Sequence, residues 1–204
     1  MEKSRLDKQI EFSTEIDKEK EIFRQTYLAD GSRKENDAEH AWHAAIMTYL
    51  LAEYANEKID VAKTMMMLLI HDIVEVDAGD TYAYDEVGKQ TQREREQKAA
   101  DRLYRLLPQD QGKALRALWD EFEEGVSAEA KFARVMDNLQ PMMLNVASDG
   151  KAWVEHEVAV SKILKRNKCT PLGSEILWNY AKEKWIKPNI EAGKIIDDEG
   201  MLGK

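Results

Sequence analysis

In 204 residues the sequence has one cysteine, four prolines and ten glycines, and each scarcity excludes something. A single thiol, Cys169, can form neither an internal disulfide nor a CxxC metal clip, which fits a reducing compartment and a cytoplasmic location. The longest purely apolar run, Met65 to Ile70, is far short of the roughly twenty residues that span a bilayer. The opening stretch from Met1 to Lys20 alternates charges where a secretory signal carries an apolar segment. No membrane partner is expected. Basic residues are also in deficit, 30 Lys and Arg against 39 Asp and Glu, for a net charge of −9. Such a chain repels polyanions, so a nucleic-acid polymer is not an expected partner either. What is present is a globular mixture, 43% hydrophobic and 34% charged, of a length that suits one domain over residues 1–204.

With so few glycines and prolines, the long stretches rich in Ala, Leu, Met, Glu, Lys, Arg and Gln read as helices, and the expected class is all-α. Leu6, Ile10, Ile16, Ile22, Phe23 and Tyr27 suggest an opening helix. Asn36 followed by Glu39 resembles a capping box, and Ala38, Trp42, Ala45, Tyr49 and Ala52 follow at helical spacing. Asp60 can cap a third helix through Met65-Met66-Met67-Leu68-Leu69-Ile70, apolar on every side and so expected at the centre of the fold. A loop is expected from Gly79 to about Gly88, then a polar helix to Leu107 stopped by Pro108. Helices follow over Lys113 to Glu124, ending near Gly125, and from Ala128, where Pro141 should kink or end the pattern. Stretches over Ala152–Lys165 and Ser174–Lys184 precede a glycine-bearing tail expected to fray.

Chemistry concentrates at a few positions. His71-Asp72 follows six apolar residues directly, and burying both there costs several kcal/mol unless a strong partner is found. A cation would be one partner. A capping pair at a helix end is the other reading, and spacing alone leaves both open. Imidazole and carboxylate are the donors that hold Mn, Fe, Co or Zn ions, so His40, His71, Asp72 and Asp137 form a plausible donor set without any thiolate. On a continuing helix Glu75 shares the face of His71 and Asp72. His43, three residues after His40, reads as a packed or supporting residue in preference to a ligand. Trp153, Trp178 and Trp185 read as packed side chains, with a dimer interface as the alternative.

Taken together, Glu39-His40, His71-Asp72-Ile73-Val74-Glu75 with Gly79-Asp80, and Asp137-Asn138 resemble the HD-domain metal-dependent phosphohydrolase superfamily. Within it the chain is similar to the small HD hydrolases that include 5′-deoxynucleotidases. The resemblance implies a helical HD fold with core motifs over about residues 24–140 and C-terminal helices over about 152–190 packed on it. It implies His40, His71, Asp72 and Asp137 as ligands of one divalent ion (Mn, Co, Fe, Zn, Ni or Mg), and Glu75 and Asp80 as catalytic carboxylates. It further implies an upstream arginine, Arg24 or Arg33, that binds phosphate. The implied reaction is hydrolysis of a phosphate monoester, foremost a nucleoside 5′-monophosphate, by a metal-activated water, in a homodimer. Two departures matter. The nucleotidase branch often carries a tryptophan near its upstream arginine, whereas this chain reads Arg24-Gln25-Thr26-Tyr27. No histidine lies between Asp72 and Asp137, where two-metal HD enzymes are similar to one another in placing extra ones, and this favours a single ion. The rival expectations are a metal-binding regulatory or ligand-sensing HD protein with little turnover, and a diiron oxygenase on the same scaffold.

Overall fold

Local caps explain where several helices start. In the computed structural model, which describes residues 3–80 and 88–201, Ser4 and Asp7 form a reciprocal capping box at the head of α1, Arg5–Glu15. Beyond it the chain departs from the helix expected through Tyr27. A 3₁₀ turn over Ile16–Glu21 leads into a short strand β1, Phe23–Tyr27. This strand pairs antiparallel with β2, Lys34–Asn36, with Phe23 opposite Asn36 and Tyr27 opposite Lys34. The aromatic and β-branched content of Phe23, Thr26 and Tyr27 suits a pleated surface better than a helix face, which is why the imperfect 3.6 spacing misled. The fold is otherwise helical, as expected.

Asn36 and Glu39 close the second capping box, at the head of α2, Asp37–Leu51, and Asp60 accepts the Lys63 N–H to start α3, Val61–Ile70. Then come α4, Glu75–Ala78, α5, Lys89–Tyr104, α6, Gln109–Glu124, and α7, Ala128–Ala147. Of the loop expected between Gly79 and Gly88, residues 81–87 lie outside the described residues. Helix α5 ends at Tyr104, short of Leu107, and Pro108 heads α6. Gly125 terminates α6 in a left-handed conformation. Pro141 does not end α7, which runs six residues further to Ala147. The backbone bond that proline forfeits is the one to the Asp137 carbonyl, one turn earlier. Both C-terminal stretches are more broken than their periodicity suggests. The first divides into α8, Lys151–Glu155, and α9, Val160–Arg166, around Glu157 at φ 45°. After α10, Thr170–Gly173, the second runs through α11, Glu175–Ala181, and a π turn over Lys182–Ile186 into α12, Lys187–Glu191. The tail folds back, with Ile195 buried and Ile196 bridged to Ala159.

Two apolar clusters result. One joins the inner faces of α2, α3 and α7 to the C-terminal helices, including Trp153, Trp178 and Ile186. The other gathers Phe12, Ile70, Ile73, Val74, Leu103 and Trp119 from α1, the α3–α4 junction, α5 and α6. Helix α3 supplies both, Met67 and Leu68 to the first and Ile70 to the second, so His71-Asp72 emerges where they meet. Helix α2 buries the face that its larger residues did not indicate. Its small residues Ala41, Ala44 and Ala45 pack inward, while Trp42 is 61% and Tyr49 69% exposed, because close approach to α3 and α7 favours small side chains. Met66 and Leu69 of α3 also reach solvent, so that helix is central on one face only. Among the described residues, no helix is long and apolar enough to cross a membrane.

Because Asn36 caps the helix that carries His40, Asn36→Ala is expected to cost about 1 kcal/mol of folding free energy. A urea denaturation midpoint unchanged from the parent protein would show that the cap contributes nothing.

Candidate metal centre

The centre starts where α3 runs out. His71 is buried, and its Nδ1–H donates to the Leu68 carbonyl oxygen at 2.7 Å. That bond fixes the tautomer and leaves the Nε2 lone pair pointing away from the helix. Nε2 lies 3.1 Å from Asp72 Oδ2 and 3.7 Å from Asp137 Oδ1, yet it has no aligned hydrogen-bond partner. The indole N–H of Trp119 donates to the His71 carbonyl at 3.1 Å, anchoring this turn to α6.

His40 arrives from the first turn of α2 in the same state. Its Nδ1–H donates to Gln140 Oε1 at 2.8 Å and its Nε2 lies 3.1 Å from Asp137 Oδ1. Gln140 is itself oriented, since its amide donates to Glu35 Oε2 at 2.9 Å and lies 3.2 Å from His43 Nδ1. His43 therefore stands behind Gln140 and away from the His40 Nε2 atom. The two site imidazoles have ring centroids 5.4 Å apart. Donor atoms of His40, His71 and Asp72 fall within 4.8 Å of one another, with Asp137 against both rings. Two nitrogen lone pairs and two carboxylates facing one point form the donor set of a divalent ion. The partnerless Nε2 of His71 fits that ion, because a buried acceptor without a donor is costly.

The electrostatics agree. Burial alone would lower the pKa of His71, but Asp72 and Asp137 raise it well above its ordinary value. Burial would likewise raise Asp72 and Asp137, but the imidazoles hold both well below the usual carboxylate range, helped by Arg24 at Asp72 and Arg166 at Asp137. The site attracts positive charge strongly, and an ion would displace imidazole protons.

Around this point lies a cavity of about 360 Å³, lined among others by Arg24, Asp72, Glu75, Asp80, Asp137 and Arg166. Arg24 comes from β1. Its Nη1 donates to Asp72 Oδ2 at 2.5 Å and to Asp37 Oδ1 at 3.0 Å, and its Nε is 3.9 Å from Glu35 Oε1. Arg33, the other arginine expected at the phosphate, is half exposed, donates to Glu39 Oε2 at 2.8 Å and does not line the cavity. Glu75 opens α4, buried with Oε2 partnerless, and burial with the charges of Asp72, Glu96 and Asp80 pushes its acid up to about 10. Gly79, at φ 74°, turns the chain after α4 in a conformation few other residues take. Asp80 thereby lines the cavity, its pKa raised by burial against the opposing pull of Arg24. Asp37, fully buried behind Arg24, is pushed up to about 8 by burial and by Asp72. The structure thus gathers His40, His71, Asp72, Asp137, Arg24, Glu75 and Asp80, and leaves Arg33 outside. Gln140, Glu35, Asp37 and Arg166 join them without having been expected. Of these only Gln140 had a readable signal, one helical turn after Asp137 on the same face.

Comparison with known proteins agrees with this geometry. Residues 16–177 match the family model of the HD domain. The chain is 30% identical to the 5′-deoxynucleotidase HDDC2 of Homo sapiens over 111 residues, 54% of this chain and 53% of that protein. The Bos taurus 5′-deoxynucleotidase HDDC2 is 31% identical over the same shares. The chain spans about half the length of these curated relatives. A crystal structure of a predicted metal-dependent phosphohydrolase from Magnetospirillum magnetotacticum superposes with a TM-score of 0.90 at 47% identity, covering 95% of this chain and 96% of that one.

Two outcomes follow from the geometry. Gln140→Leu removes the acceptor that orients His40, and metal affinity is expected to fall about 10- to 100-fold; a titration that matches the parent protein would remove Gln140 from the account. The second concerns Glu75. Folded, it keeps its proton to about pH 10, whereas unfolded it ionises around its ordinary 4.5. The unfolded chain therefore gains by ionisation as pH rises, and native stability falls across that window. In metal-stripped protein Glu75→Gln should match the parent near pH 4 and exceed it increasingly toward pH 9. Melting curves displaced equally at both pH values would contradict a raised acid.

Proposed function

The chain belongs to the HD-domain hydrolase family, and we propose that it hydrolyses phosphate monoesters, nucleoside 5′-monophosphates foremost, using one divalent ion held by His40, His71, Asp72 and Asp137. The observation that carries this reading is the cavity in which His71, Asp72 and Asp137, with His40 against Asp137, meet Arg24, a proton-bearing Glu75 and Asp80. An ion in this donor set supplies Lewis acidity, both to a water and to a phosphoryl oxygen. Arg24 offsets phosphate charge through its guanidinium. Water oxygen bonds to phosphorus as the P–O ester bond breaks; one water hydrogen stays on the phosphate product, the leaving oxygen takes a proton from an acid, and the water's other proton restores that acid. Glu75 is suited to give that proton, because its surroundings keep the carboxyl neutral at pH 7 and leave Oε2 without a competing partner. Asp80, a second acceptor on the cavity wall, suits a substrate hydroxyl.

Support for a deoxynucleotide comes from the relatives named 5′-deoxynucleotidases, which share about half their length with this chain. Support for a phosphate ester of small size comes from a cavity in the range of small-molecule sites. The assembly proposed is a cytoplasmic homodimer. Trp153 and Trp178 are core residues and Trp185 packs against that core; what supports an interface is the exposed apolar set Trp42, Ile46, Tyr49 and Leu50 of α2 with Met66 and Leu69 of α3.

The test is phosphate release from nucleoside and deoxynucleoside 5′-monophosphates, with sugar phosphates as controls, by metal-stripped protein resupplied with Mn²⁺, Co²⁺, Mg²⁺ or Zn²⁺. Release confined to 5′-monophosphates, and lost in Asp137→Ala, is the expected result. Near-normal turnover in Asp137→Ala would overturn the proposed site.

A further inference from the structure

Arg166 is the last residue of α9, far in sequence from every motif above, and it lines the same cavity as Arg24. The two guanidiniums differ in what already holds them. Arg24 is 12% exposed and committed to Asp72 and Asp37, so much of its charge neutralises the protein's own carboxylates. Arg166 is 31% exposed, and its Nη2 lies 3.6 Å from Asp137 Oδ2, too far for a hydrogen bond. Among the described residues no acceptor takes its N–H groups. Asp137 presents its other oxygen, Oδ1, to His40, so Arg166 reaches the ligand carboxylate from the side away from that imidazole. Both arginines act electrostatically on Asp80 and Asp137, which places one stretch of cavity under two positive charges.

Its mounting is firm. The next residue, Asn167, is buried, donates to the Ile163 carbonyl at 3.0 Å and accepts from Thr170 Oγ1 at 3.0 Å. Lys168, one position further, lines the cavity as well. A cation at a helix C-terminus also complements the helix dipole, but that role needs neither the cavity nor the approach to Asp137.

We propose that Arg166 is a phosphate-contacting residue, so that the phosphoryl group lies between Arg24 from β1 and Arg166 from α9. The inference rests on the phosphate-ester reading above. A guanidinium with unused N–H donors in a planar fork matches two phosphate oxygens. The phosphate carries up to two negative charges, and both an ion held by two carboxylates and Arg24, shared by Asp72 and Asp37, bring charge that the protein's own carboxylates already offset in part.

The probe is inorganic phosphate, titrated calorimetrically into metal-loaded protein, with Arg166→Met and Arg166→Lys alongside the parent chain. Arg166→Met should weaken phosphate binding by at least about tenfold, the worth of one charged hydrogen bond, and raise KM for a 5′-monophosphate similarly. Its metal content should stay at the parent value, which also reports that the variant is folded. Arg166→Lys should recover part of the affinity, and added guanidinium ion should recover part of it in Arg166→Met. Parent-like phosphate affinity in metal-loaded Arg166→Met overturns the inference, and so does a parent protein that binds no phosphate. A parent protein that binds phosphate through Arg166 but hydrolyses no monoester supports the inference and overturns the proposed reaction alone.

Discussion

Everything in this protein is arranged around a buried surplus of lone pairs. His40 and His71 have their Nδ1 atoms tied to an amide and a backbone carbonyl, so both present Nε2 to the carboxylates of Asp72 and Asp137. Acceptors facing acceptors in a largely buried place are unstable unless positive charge stands between them. Protons on the imidazoles provide that charge in the bare chain, and a divalent ion provides more of it at one point. The two apolar clusters meeting at the end of α3 remove water from the spot and make the demand acute.

The same surplus explains the behaviour of the neighbours. Asp37, Glu75 and buried Glu19 have acids pushed up to about 8, 10 and 7, each by burial first and then by the charge of Asp72. Arg24 offsets it near Asp80 and Arg166 near both Asp80 and Asp137, beside the imidazoles. A ligand entering this space is therefore selected twice. On the proposed reading its phosphate end meets an ion and guanidinium N–H groups, and its remainder meets carboxyl groups such as Asp80.

Much of this was legible in the sequence, and the reason is locality. The capping box at Asn36, the cap at Asp60 and the stop at Gly125 are read from neighbouring residues and recur in the structure. The His71-Asp72 pair announced itself by following an apolar run, and the resemblance joined it to His40 and Asp137 across long intervals. What escaped depends on tertiary contact. Phe23 to Tyr27 form a strand because β2 is there to pair with them. Helix α2 turns Ala41, Ala44 and Ala45 inward because α3 and α7 approach closely, which no helical periodicity of large residues records. Arg24 and Arg33 are equivalent on paper and separated in space, one drawn in by Asp37 and Asp72, the other held outside by Glu39. Arg166 carries no local signal at all, since only the tertiary packing of the C-terminal segment brings it to Asp137.

The central claim is that one divalent ion completes this site. Anomalous X-ray scattering at the metal edge, from crystals of the metal-loaded protein, tests it most directly. The account predicts a single peak per chain within bonding distance of both Nε2 atoms and of the carboxylates of Asp72 and Asp137. Two adjacent peaks, or a peak that none of these four residues reaches, would contradict it.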